Sequence, residues 1–391
     1  MSIIRVGFII EFTDWMGGLN YFKNIFQAIN DLPGNDIAPI IFCGKKTDLD
    51  SLNGTAKIIR SSLFDRHSFF WFLSKFCRRF ISQKDFLLFL LLKKHNIDVI
   101  SHSRVLWADC SIPSIAWIPD FQYLHLPHLF TAKDIVDRDA SVKKIIRESS
   151  GVILSSRSAL DDLNNFDMPI PSKTFILNFV ANIADGISSA AEAEEVSGKY
   201  GLDRPWFHIP NQFWAHKNHS IVLEALKLLR ERGKNPLVVS TGSTSDFRNP
   251  DFFQSITKMV RINDLKSNFL ILGMVPVIDL ELIMRNSVAI INPSLFEGWS
   301  TSVEEAKAMG KTIILSDIPV HREQQPKNGF YFAADDANML ANHMELILDE
   351  FDLEDDIKRQ SQAKTVHRDK RIKFGAEYKN IVFSIFYPKY K

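Results

Sequence analysis

At 391 residues and 44.8 kDa, the chain is long enough for two domains of roughly 150–200 residues. Hydrophobic residues make up 46% and charged residues 24%, which excludes disorder as the dominant state. Lys+Arg number 47 and Asp+Glu 46, a net charge of +1, which argues against a protein that grips long stretches of nucleic acid.

In chain order, the first half alternates strand-like runs with helical patterns. The runs are Ile4–Ile10, Pro39–Phe42, Val99–Ser101, Ser114–Ile118, Val152–Ser155 and Thr174–Leu177. After the first run, Leu19, Phe22, Ile25, Phe26 and Ile29 recur at helical spacing. That rhythm implies a parallel sheet covered by helices. An Ala/Ser/Glu-rich stretch over 183–204 interrupts it and reads as a linker. The pattern then restarts, with strands at Trp206–Ile209, Leu237–Ser240, Phe269–Leu272, Val288–Ile291, Thr312–Leu315 and Phe330–Phe332. Helices are expected at Ser220–Arg232, Phe252–Ile262, Leu280–Arg285, Ser302–Met309 and Ala337–Leu348. The expectation is a Rossmann-like domain over 1–182, a linker over 183–204 and a second Rossmann-like domain over 205–365. A C-terminal helix over 366–391 is expected to cross back to the first domain. Ligands of such sheets bind beyond the carboxyl ends of the strands, so both domains would offer those ends to a central cleft.

Cys43, Cys77 and Cys110 show no Cys-x-x-Cys spacing, which argues against a disulfide scaffold or structural zinc. The apolar start ends at Glu11 and Asp14 and reads as a first strand rather than a signal peptide. The longest strictly apolar run, Phe86 to Leu92, is far short of the ~20 residues of a spanning helix. A cytoplasmic protein that at most touches a membrane surface is expected.

The most informative segment is Asn292-Pro-Ser-Leu-Phe-Glu297-Gly-Trp-Ser-Thr-Ser-Val-Glu304-Glu305, between a strand and a helix. Thr301 and Glu304 have capping-box spacing. The first turn of the helix offers free N–H groups and the positive dipole end, a seat for phosphate. Ser300, Thr301 and Ser302 add hydroxyls there. Glu297 before the helix and Glu305 inside it flank that seat, and an ionised carboxylate accepts paired sugar hydroxyls.

This segment resembles the Glu-x7-Glu signature of retaining GT-B glycosyltransferases, especially glycosyltransferase family 4 of the bacterial polysaccharide and O-antigen type. Most of the family wording stands at Pro293–Ala306, with Ser300 at a usual glycine. The resemblance implies a GT-B fold, Glu297 on the donor sugar and Glu305 on the nucleotide ribose. In His208-Ile-Pro-Asn211-Gln-Phe-Trp-Ala-His216-Lys217-Asn-His219, Lys217 matches the family lysine that neutralises the donor diphosphate. Asn211 stands where an arginine is usual. His219 reads as a polar residue at a helix start, a reading that stays open for His216. Gly242 matches a glycine turn near the nucleotide, and the backbone of Met274 and Val275 would reach the base. Arg322 and Glu323 either pair with each other or serve the site.

In the first domain, Gly17 and Gly18 join strand to helix and allow close backbone approach to a ligand; the resemblance implies that this loop borders the donor phosphate and the acceptor. At Pro119-Asp120 the family usually has a histidine before the acid. Asp120 either orients the acceptor hydroxyl or takes its proton, or it only caps a turn after Pro119. His125 and His128 are weaker candidates. Asp48-Leu-Asp50 reads as a chance Asp-x-Asp, and no metal dependence is implied.

The resemblance thus implies retaining transfer of a hexosyl unit, for example mannosyl or rhamnosyl, from a GDP-, UDP- or dTDP-sugar. The acceptor would be a glycan or lipid-linked glycan of lipopolysaccharide, O-antigen or capsule synthesis, and no cofactor is obligatory. The alternatives are a non-catalytic nucleotide-sugar-binding or scaffold protein of the same fold, and a GT-B epimerase. Of the 31 phenylalanines, Phe64, Phe69, Phe70, Phe72, Phe76, Phe80, Phe86 and Phe89 crowd one stretch. Arg66, Lys75, Arg78, Arg79, Lys84, Lys93 and Lys94 interleave with them. The stretch is either core or a peripheral seat on an anionic membrane.

Overall fold

Seven short runs, most of them apolar and rich in β-branched residues, form the first sheet. They are β1 (Ile4–Ile9), β2 (Ile37–Cys43), β3 (Lys57–Arg60), β4 (Val99–Ser101), β5 (Ser114–Ile118), β6 (Gly151–Leu154) and β7 (Thr174–Ile176). All pair in parallel, in the order β3-β2-β1-β4-β5-β6-β7. The central strands are buried on both faces, as parallel sheets require. The second sheet holds β8 (Trp206–Ile209), β9 (Leu237–Thr241), β10 (Phe269–Gly273), β11 (Ala289–Asn292), β12 (Ile313–Ser316) and β13 (Gly329–Phe332). Its parallel order is β10-β9-β8-β11-β12-β13, the doubly wound arrangement. The order in which successive strands are added reverses between β1 and β4 in one sheet and between β8 and β11 in the other. The computed structural model describes residues 3–11, 16–34, 36–77, 84–102, 106–166, 168, 173–183, 188–246 and 248–387. Asp14, Trp15, Arg78, Arg79 and Phe80 lie outside them.

The chain forms two compact units. One comprises residues 1–121, 132–182 and 369–391; the other comprises 122–131 and 183–368. Three features differ from the sequence expectation. Strand β3 was not expected, because Lys57-Ile58-Ile59-Arg60 carries only two apolar residues between charges and sits at the sheet edge. Ten residues of the first half, 122–131, pack with the second unit. The stretch expected as a linker contains the helix Ala190–Tyr200. Its capping box is complete: Glu192 N–H donates to Ser189 Oγ at 3.2 Å, and Ser189 N–H donates to the Glu192 carboxylate at 2.8 Å. Gly201, at φ 65°, ends it in the left-handed conformation.

The 34-residue helix Leu353–Phe386 contributes its residues up to Arg368 to the second unit and those from Asp369 to the first. In the first unit its buried Tyr378 lies against the rings of Phe8 and His102. A Cβ on Gly375 would collide with the backbone of Ala28, so glycine sets how closely this helix meets the helix Met16–Asn30. In the second unit its first turn is pinned by a buried ion pair. Lys311 Nζ donates to Asp356 Oδ2 at 2.6 Å and to the Arg285 carbonyl at 3.0 Å. Gln360 Nε2 donates to the same two acceptors at 2.9 and 3.0 Å. Burial pushes the Lys311 ammonium down to about 8, against the opposing pull of Asp356.

Candidate active site

The polar centre of the second unit grows from its switch point. Because β8 and β11 pair side by side, the loops after Ile209 and Asn292 emerge together. The first loop runs into a short 3-10 turn, Ala215–Lys217, and the second leads to the helix Thr301–Met309. Lys217 Nζ donates to Glu297 Oε1 at 2.6 Å, with both side chains largely buried. Ser294 Oγ lies 2.7 Å from Glu297 Oε1 and 2.7 Å from Asn292 Oδ1, so its single hydrogen serves one of them at a time. Burial alone would raise the Glu297 carboxyl, but the Lys217 ammonium beside it holds it below the ordinary range. Glu297 is therefore an anion near neutral pH.

Asn292 organises the rest. Its Nδ2 donates to Ser300 Oγ at 2.7 Å and to Ser302 Oγ at 3.0 Å. The buried Asn211 side chain approaches Asn292 Oδ1 and Ser302 Oγ at 3.5 Å each. The hydroxyls of Ser300 and Ser302 are thus engaged inward with this pair of asparagines. The capping box expected of Thr301 and Glu304 is not formed. Ser300 is the N-cap, with no side-chain cap bond, and Thr301 is the first helical residue. Glu304 instead accepts from Lys307 Nζ at 2.6 Å and from Gln324 Nε2 at 2.9 Å. The backbone N–H groups of this first helical turn still have no intrahelical acceptor, as at any helix start.

Around this centre lie the other predicted residues of the second unit. Gly242, at φ 131°, follows β9, and a Cβ there would stand 2.6 Å from the Asn211 carbonyl oxygen. Only glycine permits that approach, which fixes the Asn211 backbone. Met274 and Val275 follow β10; the Met274 side chain is exposed and Val275 packs on the core. Glu305 is partly exposed, but crowding by protein atoms, with the charge of Glu281, pushes its carboxyl up to about 8. His219 opens the helix His219–Glu231 as a core residue, stacked on Phe213 with centroids 4.3 Å apart. Arg322 pairs bidentately with Asp317, at 2.6 and 2.7 Å, rather than with Glu323.

The remaining candidates belong to the first unit. Gly17 and Gly18 sit in the first turn of the helix after β1, and the half-buried Asp120 follows β5. Asp48 and Asp50 belong to a turn in which Asp48 Oδ1 accepts from Asp50 N–H at 3.0 Å. Among the described residues, no cluster of three or more His, Cys, Asp or Glu gathers to hold a metal. The first unit has a cavity of about 890 Å³, lined among others by Glu11, Lys46, Asp48, Arg66 and Trp71.

Several contacts around the site were not anticipated. Arg248 Nη1 donates to Gln122 Oε1 at 2.7 Å, and its guanidinium lies 5.3 Å from the ring centres of both Phe130 and Trp214. His125 packs on Phe296, the residue before Glu297, with centroids 5.0 Å apart. The segment 122–131 is therefore clasped against the Glu297 loop within the second unit. No local pattern announces these pairs, because Gln122 and Phe130 lie more than 100 residues from Arg248, and His125 more than 100 from Phe296. His321, fully buried, has Nδ1 2.8 Å from the Ser316 carbonyl, and Ser316 Oγ donates to the Ser294 carbonyl at 2.5 Å. Burial lowers its pKa, which keeps it neutral behind Glu297.

Comparison with known proteins gives this geometry a context. Residues 193–364 match the family "Glycosyl transferases group 1". Over 123 residues the chain is 28% identical to the O-antigen chain mannosyltransferase RfbU of Salmonella typhimurium. That alignment spans 32% of this chain and 33% of the relative. Among solved structures, a glycosyltransferase from Rickettsia africae is similar over 100% of both chains, with a TM-score of 0.72 and 15% identity. Anabaena HepE in complex with UDP and glucose has a TM-score of 0.72 at 13% identity, over 97% of this chain and 100% of that one. WaaG, a glycosyltransferase involved in lipopolysaccharide biosynthesis, has a TM-score of 0.60 at 13% identity, over 95% of each chain. The chain thus has the GT-B fold of two parallel-sheet Rossmann-like domains, and residues 193–364 of its second unit are similar to the glycosyl transferases group 1 family.

Proposed function

We propose that this protein is a retaining hexosyltransferase, mannosyl- or rhamnosyl-type, which moves a sugar from a GDP-, UDP- or dTDP-sugar to a hydroxyl of a glycan acceptor in lipopolysaccharide or O-antigen synthesis. The observation that carries the reading is the Lys217–Glu297 pair beside the start of the helix Thr301–Met309. Lys217 and the helix dipole supply positive charge where a departing diphosphate accumulates negative charge. Glu297, held anionic, suits the hydroxyls of the donor sugar. Glu305 would take the ribose diol, the Met274–Val275 backbone the base, and Gly242 the turn beside the nucleotide. Gly17, Gly18 and Asp120 would serve the donor phosphate and the acceptor from the first unit. The LPS-related names among the similar proteins support the acceptor class. Work at the cytoplasmic face of a membrane fits that acceptor, and no described helix is long and apolar enough to cross one. No step requires a metal or other cofactor.

A thermal-shift panel of nucleotides and nucleotide sugars tests the reading. A ligand at 100 times its dissociation constant stabilises by about 2.7 kcal/mol, so the cognate nucleotide should raise the melting temperature clearly. No shift with any GDP, UDP or dTDP compound would refute it. A shift without any donor turnover would favour a non-catalytic binding protein.

The raised Glu305 pKa gives a second expectation. If its carboxylate accepts the ribose hydroxyls, binding must expel its proton below about pH 8. Nucleotide affinity should then rise up to tenfold per pH unit between pH 6.5 and 8 and level off above. Calorimetric titration across that range should show this slope in the natural protein and lose it in Glu305→Gln. An unchanged slope in the variant would remove Glu305 from the ribose.

A further inference from the structure

The helix Phe69–Phe76 is built inside out. Its buried residue is Ser74, whose hydroxyl donates to Asp85 Oδ1 at 3.1 Å. Asp85 is itself buried and caps the next helix, Phe86–Lys94, by accepting from Leu88 N–H. The phenylalanines face the other way. Phe69 is 73% exposed, Phe70 52%, Phe72 54% and Phe76 54%. On the next helix Phe86 is 52% exposed and Leu90 49%. Phe64, by contrast, is in the core. Soluble surfaces rarely gather so many large apolar side chains unless something covers them.

The exposed charges on these two helices have one sign, while Glu11, Asp48 and Asp65 line the cavity beside them. Arg66, Lys75, Lys84, Lys93 and Lys94 are all exposed. Between residues 64 and 94 the acids are Asp65, which accepts from Lys45 N–H at 2.8 Å, and the buried Asp85. Lys75 lies 3.8 Å from the ring centre of Trp71, and Lys93 5.7 Å from that of Phe89, so cations stand beside aromatic rings.

We propose that this aromatic, cationic face seats on an anionic lipid bilayer. The phenylalanines enter the boundary between headgroups and acyl chains, and the lysines meet lipid phosphates. An eight-residue helix is only about 12 Å long, so it lies in the interface and does not span. A second copy of the chain fits less well, because a two-fold contact would bring two faces of the same charge together. Protein interfaces also tend to exclude lysine from their apolar centres. The inference rests on the transfer reading only for its purpose, which is to hold the chain where a lipid-linked acceptor lies.

Vesicle co-sedimentation of the full chain tests it, with phosphatidylglycerol-containing vesicles against pure phosphatidylcholine. The natural protein should bind the anionic vesicles and release as salt rises. Each basic residue near an anionic surface contributes about fivefold in partitioning. Lys75→Glu with Lys93→Glu and Lys94→Glu should therefore weaken binding by about 100-fold or more. Phe69→Ser with Phe72→Ser should also abolish sedimentation while leaving the melting temperature and nucleotide binding intact. Equal recovery with both vesicle types, or binding indifferent to these variants, overturns the proposal. A dimer that these phenylalanine variants dissociate, without vesicle binding, overturns it in favour of self-association. Vesicle binding without any nucleotide response would leave the surface standing and refute the transfer reading instead.

Discussion

Glu297→Ala should slow sugar transfer by roughly 10²–10³-fold, about 3–4 kcal/mol of lost transition-state stabilisation. The carboxylate is held anionic at the end of β11 by Lys217, Ser294 and the surrounding field, so its charge is fixed before substrate arrives. Lys217→Met should be at least as damaging, because it removes the cation expected to face the leaving diphosphate and leaves Glu297 without its closest countercharge. A double-mutant cycle separates chemistry from architecture. If the pair serves only to hold the loops, Lys217→Met with Glu297→Gln should restore most of the activity that either change removes. If each acts on substrate, the double variant should remain as slow as the worse single one. Steady-state kinetics on the four proteins distinguishes these outcomes, provided melting curves show all four folded.

The largest effect on stability is expected away from this site. Asp356→Ala should destabilise the protein by about 3–5 kcal/mol, because it strands the fully buried Lys311 ammonium without a countercharge. The carbonyl of Arg285 and the amide of Gln360 would stay nearby, but neither neutralises a charge. Replacing both partners with apolar residues, Lys311→Met and Asp356→Leu, should recover most of that loss. Urea denaturation of the two variants measures the difference. A cost below about 1 kcal/mol for Asp356→Ala would mean that water reaches Lys311 and that the pair does not anchor the long C-terminal helix.

These two predictions draw on different amounts of sequence information. The Glu297 loop was legible because its residues are contiguous: one strand, one loop and one helix start lie within Ala289–Met309. Lys217 was legible through motif wording on the neighbouring strand end. The strand–helix alternation gave both sheets, since buried parallel strands leave short apolar runs that punctuation by Gly, Pro and Asn exposes. What escaped was whatever depends on partners distant in sequence. Thr301 and Glu304 have capping-box spacing, but tertiary competition wins, since Gln324 lies 20 residues onward and takes the Glu304 carboxylate together with Lys307. The clasp of Arg248 on Gln122 and Phe130 joins two loops that no periodicity links. The Lys311–Asp356 pair is equally silent, because an isolated lysine in sequence reads as solvated.

The aromatic stretch shows the same limit from another side. Periodicity places phenylalanines on a helix but cannot tell whether they face protein or solvent. The structure decides it through one polar contact, Ser74 with Asp85, which turns the small polar residue inward and the rings outward. The helix Ala190–Tyr200 inside the expected linker was not legible for a related reason. Ser189 and Glu192 carried a helix-start signal, and the low hydrophobicity of the stretch outweighed it, although the single buried Val196 with the neighbouring Leu202 suffices to dock the helix.

The central claim is that the Lys217–Glu297 centre activates a nucleotide sugar. Its most direct test follows purified protein with GDP-, UDP- and dTDP-hexoses by phosphorus and proton NMR, with and without a glycan acceptor. The expected result is release of nucleoside diphosphate from one donor class, faster with acceptor, with the product sugar keeping the anomeric configuration of the donor, and with loss of both signals in Glu297→Ala. Diphosphate release that persists unchanged in Glu297→Ala, or a protein that binds nucleotide sugars but never cleaves them, would contradict it.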